Sequence, residues 1–78
     1  MSAHPLVEFI VHNLVEHPDE INLKEIPGED ETILELRVAD PDIGKVIGKN
    51  GSVARAMRTL IQAVGAREQK NYHLEIID

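Results

Sequence analysis

Ile43-Gly44-Lys45-Val46-Ile47-Gly48-Lys49-Asn50-Gly51-Ser52 is the stretch on which the fold turns. Three glycines, Gly44, Gly48 and Gly51, fall close together, and the last two bracket Lys49-Asn50. Glycine at both corners lets a backbone turn sharply and come close to a ligand. Downstream, Val53, Ala56, Met57, Leu60, Ile61 and Val64 recur at helical spacing, with Arg55, Arg58, Thr59 and Gln62 on the other side. Gly65 is a natural stop for that helix. Upstream, Asp40-Pro41-Asp42 predicts a helix start, with an N-cap Asp40, Pro41 at the first position and an acid in the first turn. Ile43, Val46 and Ile47 then line one face of about two turns. The glycine pair therefore joins two helices. The second helix offers free N–H groups and the positive end of its dipole at its start, and Lys49 adds a cation at the tip. That combination suits a sugar-phosphate backbone, and Val46 and Ile47 offer an apolar floor for bases.

Other phosphate loops fit poorly. A Walker A loop requires Ser or Thr after Gly-Lys, whereas Asn50 follows Gly48-Lys49. A dinucleotide fingerprint requires Gly-x-Gly-x-x-Gly after a strand, but position 46 is Val and a helix precedes the loop. Asn50-Gly51 is also a favoured hairpin pair, yet Ser52 to Val64 is periodic as a helix, not as a strand.

Outward from this centre, Leu6, Val7, Phe9, Ile10, Leu14 and Val15 predict a first helix over Pro5 to Glu16, with Pro5 at its first position and His17-Pro18-Asp19 ending it. Ile21 to Ile26 reads as a short strand, and Pro27 to Glu31 as an acidic turn. Thr32 to Val38 alternates cleanly, Leu34, Leu36 and Val38 against Glu35 and Arg37. Asn71 to Ile77 alternates Tyr72, Leu74 and Ile76 against His73 and Glu75. The order is helix, strand, strand, helix, helix, strand: an α+β fold with a three-stranded sheet and helices on one face. Strand order does not follow from these patterns. Phe9 and Tyr72 are expected in the core.

The central segment resembles the signature of KH domains, in which a GXXG loop between two helices clamps about four nucleotides of single-stranded nucleic acid. Gly48-Lys49-Asn50-Gly51 matches that loop, and Ile43 to Ile47 its hydrophobic lead-in. The element order is similar to the type II, prokaryotic topology, over essentially the whole chain, which is then a single domain over residues 1–78. The resemblance implies a non-catalytic protein that holds single-stranded RNA through Gly44, Lys45, Val46, Ile47, Gly48, Lys49, Asn50, Gly51, Ser52, Arg55 and Arg58. Lys49 is the foremost phosphate contact; Lys45, Arg55 and Arg58 also suit an ordinary solvated helix face. Val46 and Ile47 suit the core as well as a groove. The resemblance further implies work as an RNA chaperone or post-transcriptional regulator, tied in some bacteria to cell shape and wall synthesis. It implies a homodimer, or a heterodimer with a second KH protein, because one such clamp binds weakly alone. The small size points the same way, since a domain of this length is marginal without staples. A protein–protein adaptor that keeps the fold with little RNA binding is the alternative.

Composition narrows the other classes. The chain lacks Cys, which excludes disulfides, Cys-ligated zinc, iron–sulfur sites and a thiol nucleophile, and makes the cytoplasm the default compartment. His4, His12, His17 and His73 show no metal-ligand spacing, and His12 has Glu8 and Glu16 at four-residue spacing, which predicts an exposed ion pair. No nucleophile–base pair or cofactor fingerprint appears, so neither an enzyme nor a cofactor is expected. The N-terminus, Met1-Ser2-Ala3-His4-Pro5, has no basic region, and no apolar run reaches membrane-spanning length. The net charge of −6 argues against nucleic acid at first sight. Its distribution argues otherwise. Residues 1–42 carry two cations against eleven acids, and residues 43–78 six cations against three acids. A small cationic face on an acidic body predicts local, modest and salt-sensitive binding.

Overall fold

Helix α1 spans Ala3–Leu14, strand β1 Asn22–Pro27, strand β2 Thr32–Arg37, helix α2 Ile43–Ile47, helix α3 Ser52–Glu68 and strand β3 Tyr72–Ile76. Short 3₁₀ turns lie at Pro18–Glu20, Asp40–Asp42 and Lys49–Gly51. This computed structural model describes residues 2–78; Met1, the first residue of the N-terminal segment considered above, lies outside them. The element order and the α+β class are those read from the sequence.

The sheet order is β1-β2-β3. Strands β1 and β2 form an antiparallel hairpin from Asn22↔Arg37 to Pro27↔Thr32, and the turn closes on the Gly28 N–H donating to the Glu31 carbonyl at 2.7 Å. Strand β3 lies parallel to β2, from Thr32↔Tyr72 to Leu36↔Ile76. Parallel neighbours need a long crossover, and residues 38–71, which include α2 and α3, supply it. The two helices and the loop between them are thus carried on one face of the sheet. Leu34, Leu36, Tyr72 and Leu74 point into a core completed by Ala3, Val7 and Val11 of α1, Val46 of α2 and Met57 and Ile61 of α3.

Several local expectations are corrected. Helix α1 starts two residues before Pro5 and ends at Leu14, because Val15 is already extended. Pro5 is tolerated inside the first turn, where its missing N–H has no helical partner to lose. Phe9 is 69% exposed and not in the core. The buried face of α1 is set by Ala3, Val7 and Val11, each four apart. Phe9 stands two residues, about 200°, away from Val7. In α3 the buried stripe runs through Ala54, Met57, Ile61 and Gly65, so Ala56 and Leu60 lie outside it. Gly65 does not stop the helix. Helix α3 continues to Glu68, and Gln69, at φ 58°, takes the left-handed closing position instead. Gly65 is an interior helix residue because β3 returns against it: a Cβ there would meet the Lys70 carbonyl oxygen at 2.5 Å and the Tyr72 ring at 3.1 Å. Tyr72 itself is buried as expected, and its hydroxyl donates to Glu68 Oε1 at 2.9 Å.

The ion pairs also differ. Among the described residues His12 makes none; His4 instead approaches Glu8 at 3.9 Å and Glu25 at 3.6 Å, joining α1 to β1. Glu16 turns to Lys45 at 3.8 Å.

Candidate nucleic-acid interface

The loop is built from both sides. Helix α2 has five residues and one fully buried side chain, Val46, which hangs the helix on the core. Its last turn closes with the Gly48 N–H donating to the Gly44 carbonyl at 2.8 Å. Gly48 then takes φ 77°, ψ 171°, a region essentially confined to glycine. The chain folds back at once, with the Gly51 N–H on the Gly48 carbonyl at 3.1 Å. Asn50 (φ 57°, ψ 26°) and Gly51 (φ 75°, ψ 14°) are both left-handed. Asn tolerates that region better than most side chains, so this position accepts a residue other than glycine.

The two bracketing glycines serve different ends. A Cβ on Gly48 would overlap the Val53 side chain and stand 2.8 Å from the Val53 amide nitrogen. Gly48 is therefore the point where the loop packs against the start of α3. Gly51 has open space where its Cβ would be, so only its backbone angle calls for glycine. No side chain caps the start of α3, which follows Gly51 directly. Of the first N–H groups of this long helix, that of Ser52 already donates to the Lys49 carbonyl, and no side-chain cap stands across the start of the helix.

The expected site residues fall into distinct settings. Lys49, Asn50 and Ser52 are exposed, Gly51 is half-buried, and Lys49 makes no ion pair among the described residues. Ile47 is 38% exposed beside the loop, an aliphatic surface facing out. Val46 is the opposite: fully buried, it offers no surface, and the groove role weighed for it is corrected to core packing. Gly44 is exposed on α2 with nothing near its missing Cβ. Lys45 is held by Asp42 at 3.5 Å and by Glu16 at 3.8 Å. The Arg55 guanidinium reaches back to the Asn50 carbonyl at 3.4 Å, a long contact that ties α3 to the loop. Arg58 donates to the Leu74 carbonyl, also at 3.4 Å. Asn71 and Ile77 turn their backbone groups to β2, so alternation puts the Leu74 carbonyl on the free edge of the sheet. Arg58 thereby covers an exposed strand edge.

Asp42 is the residue that sequence reasoning missed. Asp40 makes no side-chain cap; Asp40–Asp42 is a 3₁₀ turn, and α2 begins only at Ile43. Asp42 is fully buried, and its two oxygens accept the N–H groups of Glu16 at 3.1 Å and His17 at 3.0 Å. Desolvation opposes its ionisation. The two N–H bonds, followed by the charges of His17 and Lys45, outweigh that and hold its carboxyl below the usual range. The only sequence signal was an acid just after Pro41, which is equally typical of an exposed helix start.

Residues 4–76 match the family described as "KhpA/KhpB, KH domain". The chain is 52% identical over 73 residues to the RNA-binding protein KhpA of Borreliella burgdorferi, covering 94% of this chain and 89% of that one. It is 51% identical to the RNA-binding protein KhpA of Treponema pallidum, covering 94% and 91% of the two chains. With the RNA-binding protein KhpA of Clostridium acetobutylicum the identity is 50%, over 92% and 96%. No solved structure matches the chain.

Proposed function

The chain belongs to the KhpA/KhpB KH-domain family, and from that premise we propose that it binds single-stranded RNA, without catalysis, at the loop Gly48 to Gly51. The observation that carries the reading is Lys49. It stands exposed and without an ion pair on a glycine-bounded turn that opens directly into an uncapped helix start. Backbone N–H groups and the helix dipole hold one or two phosphates, Lys49 neutralises charge, and Ile47 gives a base an aliphatic surface. Asn50 and Ser52 add hydrogen-bonding groups at the rim. Arg55 and Arg58 contribute once they exchange their long carbonyl contacts for phosphate. Lys45 contributes least, since it already faces two carboxylates.

A clamp of this size is weak by itself, so the working unit has a second KH surface: a second copy of this chain or a KhpB-like protein. In that form it acts in the cytoplasm as an RNA chaperone or post-transcriptional regulator, with effects on cell shape and wall synthesis where its transcripts govern them. Among the described residues no helix is long and apolar enough to cross a membrane.

The test is titration of an unstructured single-stranded RNA with the wild type and the double variant Lys49→Asp, Asn50→Asp. Affinity should fall about tenfold or more, and the slope of log affinity against log salt should flatten by roughly 0.7 for each phosphate no longer neutralised. Unchanged affinity in a folded double variant refutes the loop as the site and favours the adaptor reading.

A further inference from the structure

Among the described residues Asp42 is the one charged side chain buried from solvent. A buried carboxylate is costly unless paired and hydrogen-bonded, and Asp42 is both. It binds two successive amides, those of Glu16 and His17, in the segment that leaves α1 for β1. Lys45, one turn further on, closes over it from α2. An acid that only started a helix would sit at the surface and bond its own first turn. Asp42 instead reaches about 25 residues back along the chain, to a different element.

The position of this bridge gives it a consequence. Helix α2 is too short to be stable or fixed by itself. Its C-terminal end is set by the close approach of Gly48 to Val53. Its middle is set by Val46 in the core. Its N-terminal end is fastened by the buried Asp42 carboxylate, with only the longer, exposed Lys45–Glu16 pair beside it. We propose, resting on the RNA-binding reading above, that Asp42 is a positioning residue for the loop: it fixes the height and tilt of α2 against α1, and so the presentation of Lys49 and the start of α3 to RNA. It touches no RNA, since nothing of it reaches the surface.

Simple electrostatics predicts the opposite sign from positioning. Removing one acid from a protein of net charge −6 should leave RNA binding unchanged or tighten it. Positioning predicts a loss. The experiment compares Asp42→Asn with Glu16→Gln, which removes the same unit of charge nearby while leaving the Asp42–amide bonds in place. Affinity for an unstructured RNA oligonucleotide is measured alongside amide hydrogen exchange at Gly48, Asn50 and Gly51 and at Met57 and Ile61. Asp42→Asn should weaken binding about fivefold or more and speed exchange in the loop by a larger factor than at Met57 and Ile61, where exchange follows only the overall loss of stability. Glu16→Gln should bind as the wild type or slightly tighter. The inference is overturned if Asp42→Asn binds as well as the wild type, or if exchange rises by the same factor in the loop and in the core. If Asp42→Asn does not fold, Asp42→Ser, which keeps one acceptor, takes its place with the same expectations; failure of both to fold assigns Asp42 to the whole fold and also overturns it. Weaker RNA binding in the Lys49/Asn50 double variant with full binding in Asp42→Asn refutes this inference alone. Full binding in the double variant refutes the RNA-binding reading itself.

Discussion

Alanine at Gly48 and alanine at Gly51 are the same chemical change in the same motif, yet the structure assigns them different costs. At Gly51 the penalty is conformational alone: φ is 75°, and nothing lies within 4 Å of the new Cβ. A left-handed alanine costs about 1 kcal/mol. At Gly48 two costs add. The backbone, at φ 77° and ψ 171°, lies in a region that side chains essentially avoid, worth roughly 1–3 kcal/mol. The Cβ also overlaps Val53, whose amide nitrogen stands 2.8 Å away. Relieving that overlap by moving the start of α3 costs roughly another 1–3 kcal/mol. Gly48→Ala should therefore cost about 4 kcal/mol, a large share of the stability of a domain this small. Urea unfolding followed by circular dichroism measures both variants. In heating experiments Gly51→Ala should lower Tm by about 4–8 °C, and Gly48→Ala by roughly 15 °C or more. Adding Val53→Ala to Gly48→Ala should recover part of the stability, because the overlap with the Val53 Cγ2 goes while the close approaches to its Cβ and amide stay. Equal costs at the two glycines, within about 0.5 kcal/mol, would refute the packing argument for Gly48.

Three further outcomes follow from other parts of the molecule. Gly65→Ala, normally a gain of about 1 kcal/mol inside a helix, should destabilise here, because the new Cβ meets the Lys70 carbonyl oxygen at 2.5 Å; a rise in Tm would contradict the close return of β3. Phe9→Ser should change stability by less than about 1 kcal/mol, given that Phe9 is 69% exposed, whereas Met57→Ala in the core should cost about 2–5 kcal/mol by urea titration. Stability should also fall at both ends of the pH scale, with a separate residue responsible for each. The Asp42 carboxyl is held below its reference value of 3.8 in the fold, so its contribution is complete above that value and is lost as pH falls through the lower folded one. Tyr72 is pushed up to about 12, first by burial and then by Glu68, so its contribution is complete below pH 10 and is lost as pH rises from there to about 12. Urea midpoints across pH should flatten on the acid side in Asp42→Asn and on the alkaline side in Tyr72→Phe.

Legibility in the sequence followed the range of the forces involved. Strands β2 and β3 and the body of α3 were readable because alternation and helical spacing are local signals, and Leu34, Leu36, Leu74, Met57 and Ile61 are buried as those signals require. The loop was readable because Gly48 and Gly51 bracket it between two helices. What escaped depends on segments distant in sequence. The parallel placement of β3 beside β2 leaves no mark in either strand. Gly65 reads as a helix stop until β3 packs over it and makes small size the requirement. Phe9 reads as core by composition, but three smaller residues, Ala3, Val7 and Val11, decide which face of α1 turns inward. Asp42 could not be separated from an ordinary helix-start acid, because its partners are main-chain amides, and those carry no residue identity.

The parallel pairing also has a kinetic consequence for the site. The β1–β2 hairpin closes across a four-residue turn, Gly28 to Glu31, whereas β3 reaches β2 only after residues 38–71 have been drawn in. By loop entropy alone the second closure costs about 2 kcal/mol more than the first. Strand β3 is also what holds α3 down, through Tyr72 and Leu74 in the core and the Arg58 bond to Leu74. The glycine turn lies in the middle of that crossover, between α2 and α3. Loop entropy therefore favours an order of assembly in which the acidic hairpin forms first and the cationic tip last.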